Sequence, residues 1–199
     1  TPLYSKVKLW CVPNVESVRP VGPPAPNSPD FQTAANELND VLDNLTNDQR
    51  KIANFWSDGL GTYTPPGHWN RFACESIVKN KYNPLRAARA LAYLNMAEED
   101  AGIACWDAKY YFHYPRPVQT MPGFKTILGT PNFPSYTSGH SMFSAAAAAV
   151  LSHIFPEDAA TFESYSQEAA LSRLYGGIHY RFDIEDGNTS GKAVAQYVI

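Results

Sequence analysis

From Ser28 onward the apolar positions recur with a helical period. Phe31, Ala34, Ala35, Leu38, Val41, Leu42 and Leu45 follow the i, i+3, i+4, i+7 stripe of an amphipathic helix, which Ser28 can cap with Pro29 at its first position. Thr46-Asn47-Asp48-Gln49 is a capping box that restarts the chain as a second helix carrying Ile52, Ala53, Phe55 and Trp56. Gly59 and Gly61 end that helix, Pro65-Pro66-Gly67 reads as a loop, and a third helix is predicted over 69–79. Asn83-Pro84 repeats the cap-plus-proline pattern and opens a long helix to Tyr114, where Pro115 and Pro117 stop it. Residues 115–137 read as loop. A fifth helix runs from Ser138 through the alanine tract to Phe155, a sixth over 157–175 to a break at Gly176-Gly177, and a seventh starts after Gly187. No stretch alternates as a strand does and no segment repeats, so the expected class is all-α, a helical bundle.

Composition refines this picture. The chain has 199 residues, 44% apolar and 18% charged, which suits one folded domain. A net charge of −3 gives no reason to expect nucleic acid as a partner. The longest apolar stretch, 142–155, is interrupted by Ser144, Ser152 and His153 and falls short of the roughly 20 residues a membrane span needs. Seven of the 16 prolines lie in the first 29 residues, so 1–27 reads as an extended Pro-rich arm or linker before a helical domain over 28–199. Cys11, Cys74 and Cys105, widely spaced and odd in number, read as free, mostly buried thiols. Both ends look cut, which leaves room for a preceding segment and for an export signal to the periplasm or exterior.

Three segments carry chemistry. In Lys109-Tyr110-Tyr111-Phe112-His113-Tyr114-Pro115-Arg116-Pro117 two cations lie about two helical turns apart and can converge beyond the helix end. Ser138-Gly139-His140 leads into a helix, whose start offers unpaired N–H groups to an anion; Ser138 adds a hydroxyl, Gly139 a close backbone approach and His140 a proton donor. Ser172 to Asp183 places Arg173 before a glycine break and His179 after it, with Asp183 spaced to fix the imidazole tautomer. Each segment alone is also what solvated charges, a plain serine cap or a structural histidine look like. Together, three cations, a helix start and two histidines are what a tetrahedral oxyanion needs. His68, His113 and His153 read as packing or structural residues, and one of Asp100 and Asp107 is a candidate partner for a site cation.

Lys-x6-Arg-Pro, then Ser-Gly-His, then Ser-Arg-x5-His-x3-Asp resembles the tripartite signature of the type 2 phosphatidic acid phosphatase superfamily. That superfamily also holds bacterial acid phosphatases and vanadium-dependent haloperoxidases. The run 172–183, Trp106 three residues before Lys109, and Phe133 look like fungal chloroperoxidases. Thr64-Pro65-Pro66-Gly67-His68-Trp69-Asn70 and 100–109 look like bacterial haloperoxidase-like proteins. One departure is Thr137, which stands where the family pattern has proline.

In the haloperoxidase branch the resemblance makes His179 the single protein ligand to vanadium, bound as vanadate. Lys109, Arg116 and Arg173 would balance its charge, with Ser138 and the Gly139 N–H as donors. His140 would be the acid–base group for hydrogen peroxide, Lys109 would polarise the bound peroxide, and Trp106 and Phe133 would shape the halide side. In the phosphatase branch the substrate is a small phosphomonoester: His179 attacks phosphorus, His140 protonates the leaving alcohol and Asp183 orients His179. The family also implies that this chain is the C-terminal half of a two-bundle protein, in contact with a preceding bundle or a second copy. The lack of a membrane span argues against its lipid-phosphatase branch. A non-catalytic anion-binding helical domain is the third reading.

Overall fold

The computed structural model describes residues 2–59 and 61–199; Thr1, where the expected arm begins, and Leu60 lie outside them. The helices are α1 (Pro29–Asp43), α2 (Asn47–Phe55), α3 (Thr64–Lys79), α4 (Pro84–Phe112), a single turn α5 (Pro117–Thr120), α6 (Gly139–Ile154), α7 (Ala159–Tyr175) and α8 (Arg181–Val198). Among the described residues there is no strand, and no helix is long and apolar enough to cross a membrane.

The caps expected from local sequence form as chemistry dictates. The side chains of Ser28, Thr46 and Asn83 accept the backbone N–H of the third helical residue, and the Thr46–Gln49 capping box is complete. Two boundaries differ from expectation. α3 starts at Thr64, so Pro65-Pro66-Gly67 lies in its first turn, where a missing N–H costs nothing. α8 starts at Arg181, not after Gly187. Gly187 and Gly191 are contact residues inside it: a Cβ on Gly187 would come 2.8 Å from the Ser138 carbonyl oxygen, and one on Gly191 would overlap the Met142 carbonyl. The glycines therefore let α8 lie directly on α6.

α6 is the central helix. Its alanine-rich surface packs against α4, α7 and α8, burying Met142, Ala145, Ala146, Ala147, Val150 and Leu151. This places the N-terminus of α6, the C-terminal ends of α4 and α7, and the start of α8 together.

The Pro-rich arm lies along α4. The backbone N–H groups of Trp10, Cys11 and Val12 donate to the Asp100 carboxylate at 2.7, 2.8 and 2.9 Å. Arg19 donates to Asp107 at 2.6 Å and lies over the Tyr111 ring. Neither aspartate therefore serves a site cation, contrary to the sequence expectation. At about 100° per residue both project opposite Lys109 on α4, toward the arm. Of the three free thiols only Cys105 is buried; Cys11 is half-buried and Cys74 exposed. His153 stands exposed on α6 rather than packed.

Candidate active site

The site is built outward from His179, in the turn between α7 and α8. Gly177, at φ +74°, makes that turn in a left-handed conformation that disfavours a side chain. Asp183, in the first turn of α8, is fully buried. Its Oδ2 accepts from His179 Nδ1 at 2.8 Å, from Ser135 Oγ at 2.5 Å and from the Tyr180 N–H at 3.2 Å. The Nδ1–H is thereby committed to Asp183, and Nε2 carries the lone pair. Burial, then Arg116, Lys109 and Arg173, holds the imidazole pKa well below its ordinary value, so the ring is neutral.

Arg116, at the start of α5, donates from Nη1 to His179 Nε2 at 3.0 Å and to the Ile178 carbonyl at 2.7 Å, and from Nε to the Phe133 carbonyl at 3.0 Å. Its Nη2 is buried without a partner. Lys109, in the last turn of α4, is fully buried. Its Nζ donates to the carbonyl oxygens of Pro134, Ser135 and Thr137 at 2.9, 2.8 and 2.5 Å. All three ammonium protons thus tie down the 134–137 loop. The Thr137 hydroxyl, where the family pattern has proline, donates to Cys105 Sγ at 3.7 Å. Arg173, at the end of α7, donates to Ser172 Oγ at 2.9 Å and to the Trp56 carbonyl. Burial lowers the pKa of Arg116 to about 10 and that of Arg173 to about 9, and lowers that of Lys109 as well, all three remaining charged at neutral pH.

Ser138 caps α6, accepting the Ser141 N–H at 3.3 Å, and its own N–H donates to the Asp183 carbonyl at 2.9 Å. That bond ties the α6 N-terminus to the His179 turn. Gly139 follows as the first helical residue. Unlike Gly187 and Gly191, a Cβ there would meet nothing closer than 3.9 Å. Packing does not require glycine at 139; the absent side chain leaves room beside the backbone at the start of α6.

His140 points its Nε2 toward Asp58 Oδ2 at 3.3 Å, off the line of a good hydrogen bond. Burial and then Arg173 lower its pKa to about 4, against the pull of Asp58. On the Lys109 side, Trp106 and Phe133 pair with ring centroids 5.2 Å apart, and Lys109 Nζ and Arg116 Cζ each lie 5.2 Å from the Phe133 centroid.

Hydrogen bonds thus join Lys109, Arg116, Ser138, His179 and Asp183 through the 134–138 loop and the His179 turn, while Arg173 and His140 act on that group through their charge and burial. Sequence reasoning missed Asp58 and Ser135. Asp58 belongs to no motif, and Ser135 lies three residues before the Ser-Gly-His motif, in a stretch whose direction only the folded loop sets. His68, read as packing, also holds Asp58, with Nδ1 at 3.0 Å from Oδ1. His113 is exposed, capping the end of α4 at φ +51°.

Two carboxylates, Asp58 and Asp183, face three cations, which leaves one positive charge uncompensated. With the orphaned Arg116 Nη2 and the Nε2 lone pair, that donor set fits a tetrahedral oxyanion. Among the described residues no three His, Cys, Asp or Glu side chains converge as a metal cage. A metal here would be held as an oxyanion, through its oxygens and one imidazole.

A family model described as the PAP2 superfamily matches residues 89–199. No curated protein matches the chain. Among solved structures, one titled as the first bacterial vanadium-dependent iodoperoxidase superposes with a TM-score of 0.90 at 31% identity, covering 99% of this chain and 56% of that one. An apo-type bacterial vanadium-dependent chloroperoxidase superposes with a TM-score of 0.83 at 16% identity, covering all of this chain and 56% of the other, a likeness of fold. The chain spans about half the length of these structures. It belongs to the PAP2 superfamily.

Proposed function

We propose that this chain carries the site of a vanadate-dependent haloperoxidase-like enzyme that oxidises halide with hydrogen peroxide. One observation carries the reading. A neutral, tautomer-fixed imidazole, its Nε2 accepting from Arg116, lies buried beside three cations that outnumber the nearby carboxylates by one. The protein titled as an iodoperoxidase, similar along nearly the whole chain, favours the haloperoxidase branch. So does the apolar Trp106–Phe133 wall beside the cations.

Vanadate, when bound, supplies the activation of peroxide toward halide. His179 Nε2 would hold it, Arg116 and Arg173 would balance its charge, and the Ser138 hydroxyl and Gly139 N–H would donate to its oxygens. Lys109 keeps the 134–137 loop in place and adds its field from beneath Phe133. His140 is the proton-transfer group, kept neutral by burial. The unit that carries this chemistry is the helical body over 28–199, with the arm pinned along α4.

The same atoms suit phosphoryl transfer, because phosphate shares vanadate's charge and shape. Purified protein loaded with orthovanadate and assayed with peroxide plus iodide, bromide or chloride is expected to halogenate an indicator dye. The His179→Ala variant is expected not to. Hydrolysis of a phosphomonoester without any halide oxidation would transfer the site to the phosphatase reading.

A further inference from the structure

Asp58 sits in the connection between α2 and α3 in a left-handed conformation, φ +49°, with its side chain 2% exposed. Such a buried carboxylate needs donors. It has one in His68, whose Nδ1 lies 3.0 Å from Oδ1 and 3.2 Å from Oδ2, and a second imidazole faces it: His140 Nε2 lies 3.3 Å from Oδ2, off the line of a good hydrogen bond. His68 is itself held in an aromatic box. It stacks on Phe55 with centroids 5.0 Å apart and on Phe72 at 6.0 Å with planes 3° from parallel, while Trp56 and Tyr63 meet it at 5.0 and 5.5 Å. A phenyl ring would fill that box equally well, so packing alone does not call for an imidazole. Its Nδ1 edge is what the carboxylate uses.

We infer that His68 is a positioning residue for the proton-transfer group: through Asp58 it fixes the ring orientation and tautomer of His140. This rests on the proposed reading of His140 as the acid–base group. His68 clamps one side of the carboxylate, so Oδ2 stays turned to His140, 3.3 Å from its Nε2 and within reach of a small rotation of the ring. His140 Nδ1 is then free to work at the oxyanion. The other charged and titratable groups acting on His140 are Arg173, from the end of α7, and His179, from the α7–α8 turn; the Trp56 carbonyl also bears on it. Arg173 offers His140 no acceptor and His179 Nε2 is engaged by Arg116, so the acceptors that act on His140 are the Trp56 carbonyl and Asp58, and Asp58 is the one held by His68.

The test uses three variants: His68→Phe, which keeps the ring in the box and removes the donor; His68→Asn, whose amide nitrogen stands near the Nδ1 position; and Asp58→Asn. Imidazole ¹⁵N shifts at pH 7 report the His140 tautomer without any bound anion. Steady-state kinetics of the vanadate-loaded enzyme give kcat and KM. The wild type is expected to hold His140 as the Nε2–H tautomer. His68→Phe and Asp58→Asn are expected to mix the tautomers and lower kcat about 10-fold or more, with KM within about twofold, the range seen when an outer hydrogen-bond partner is removed. His68→Asn is expected to retain most of both. An unchanged tautomer in His68→Phe and Asp58→Asn overturns the proposal, and so does equal loss in His68→Phe and His68→Asn in step with their melting temperatures. Should His68→Phe fail to fold, His68→Leu, which also removes the donor, takes its place, and an unchanged His140 tautomer there overturns the proposal. A wild type inactive in every assay with an ordered His140 tautomer would count against the activity and leave the relay standing.

Discussion

Replacing Asp183 probes the link between stability and chemistry at its densest point. Its Oδ2 receives three donors, from His179, Ser135 and Tyr180, in a fully buried position. Asp183→Ala leaves all three without an acceptor. Unsatisfied buried donors cost about 1–3 kcal/mol each, and removing one partner of a buried charged network costs about 3–5 kcal/mol in all. Burial also raises the Asp183 pKa, so the carboxylate is costly to bury and its removal returns part of that cost. The net expectation is about 3 kcal/mol of lost stability for Asp183→Ala and about 1–2 kcal/mol for Asp183→Asn, which keeps an acceptor oxygen but no charge. Activity should respond in the opposite proportion. Asp183→Asn folds nearly as well as wild type, yet no longer holds the Nε2 lone pair toward the oxyanion, and should lose roughly 10²–10⁴-fold in turnover. Urea denaturation followed by circular dichroism gives the first quantity and halide oxidation the second. An Asp183→Asn variant within threefold of wild-type turnover, or an Asp183→Ala variant as stable as wild type, would refute the role given to this carboxylate.

Three further outcomes are expected. Gly191→Ala, whose Cβ would overlap the Met142 carbonyl, should lower stability by about 1–3 kcal/mol in thermal melts; Gly139→Ala should leave the melt unchanged and weaken oxyanion binding. Asp100→Ala removes the acceptor for three arm N–H groups, so limited proteolysis should cut within 2–27 faster than in wild type, at a stability cost of about 2–3 kcal/mol. His140, lowered to about 4 by burial and Arg173, takes up protons more readily in the unfolded chain, so its contribution to stability is complete above about pH 6.5 and is lost on acidification toward pH 4. Chemical denaturation of His140→Gln should therefore lose up to about 3 kcal/mol less than wild type between pH 7 and 4, and parallel curves would contradict that.

Much of this could be read from the chain because its causes are local. Ser28, Thr46 and Asn83 cap helices with atoms three residues away, and the long α4 follows from Asn83-Pro84. The site motifs were legible because Lys109, Arg116, Ser138, Arg173 and His179 each sit at a helix end or turn, where residue type and spacing set direction. What could not be read depends on tertiary placement. Pro65 and Gly187 look like breakers until one knows that the first lies in a first turn and the second presses on the Ser138 carbonyl. Asp58, His68 and His140 come from three separate segments, and their meeting depends on how the α2–α3 connection lies over the start of α6. Asp100 and Asp107 were misjudged for a related reason. From Asp100 to Lys109 α4 is buried nearly all round, so its pattern there does not show which face meets the arm and which the site.

The central claim is that His179 holds a tetrahedral oxyanion. Calorimetric titration of orthovanadate into the purified protein tests it directly, with the His179→Ala variant and competition by inorganic phosphate run alongside. One saturable site in the wild type, displaced by phosphate and weakened at least about 100-fold in His179→Ala, is the expected result. Equal uptake by the two proteins, or none by either, would contradict it.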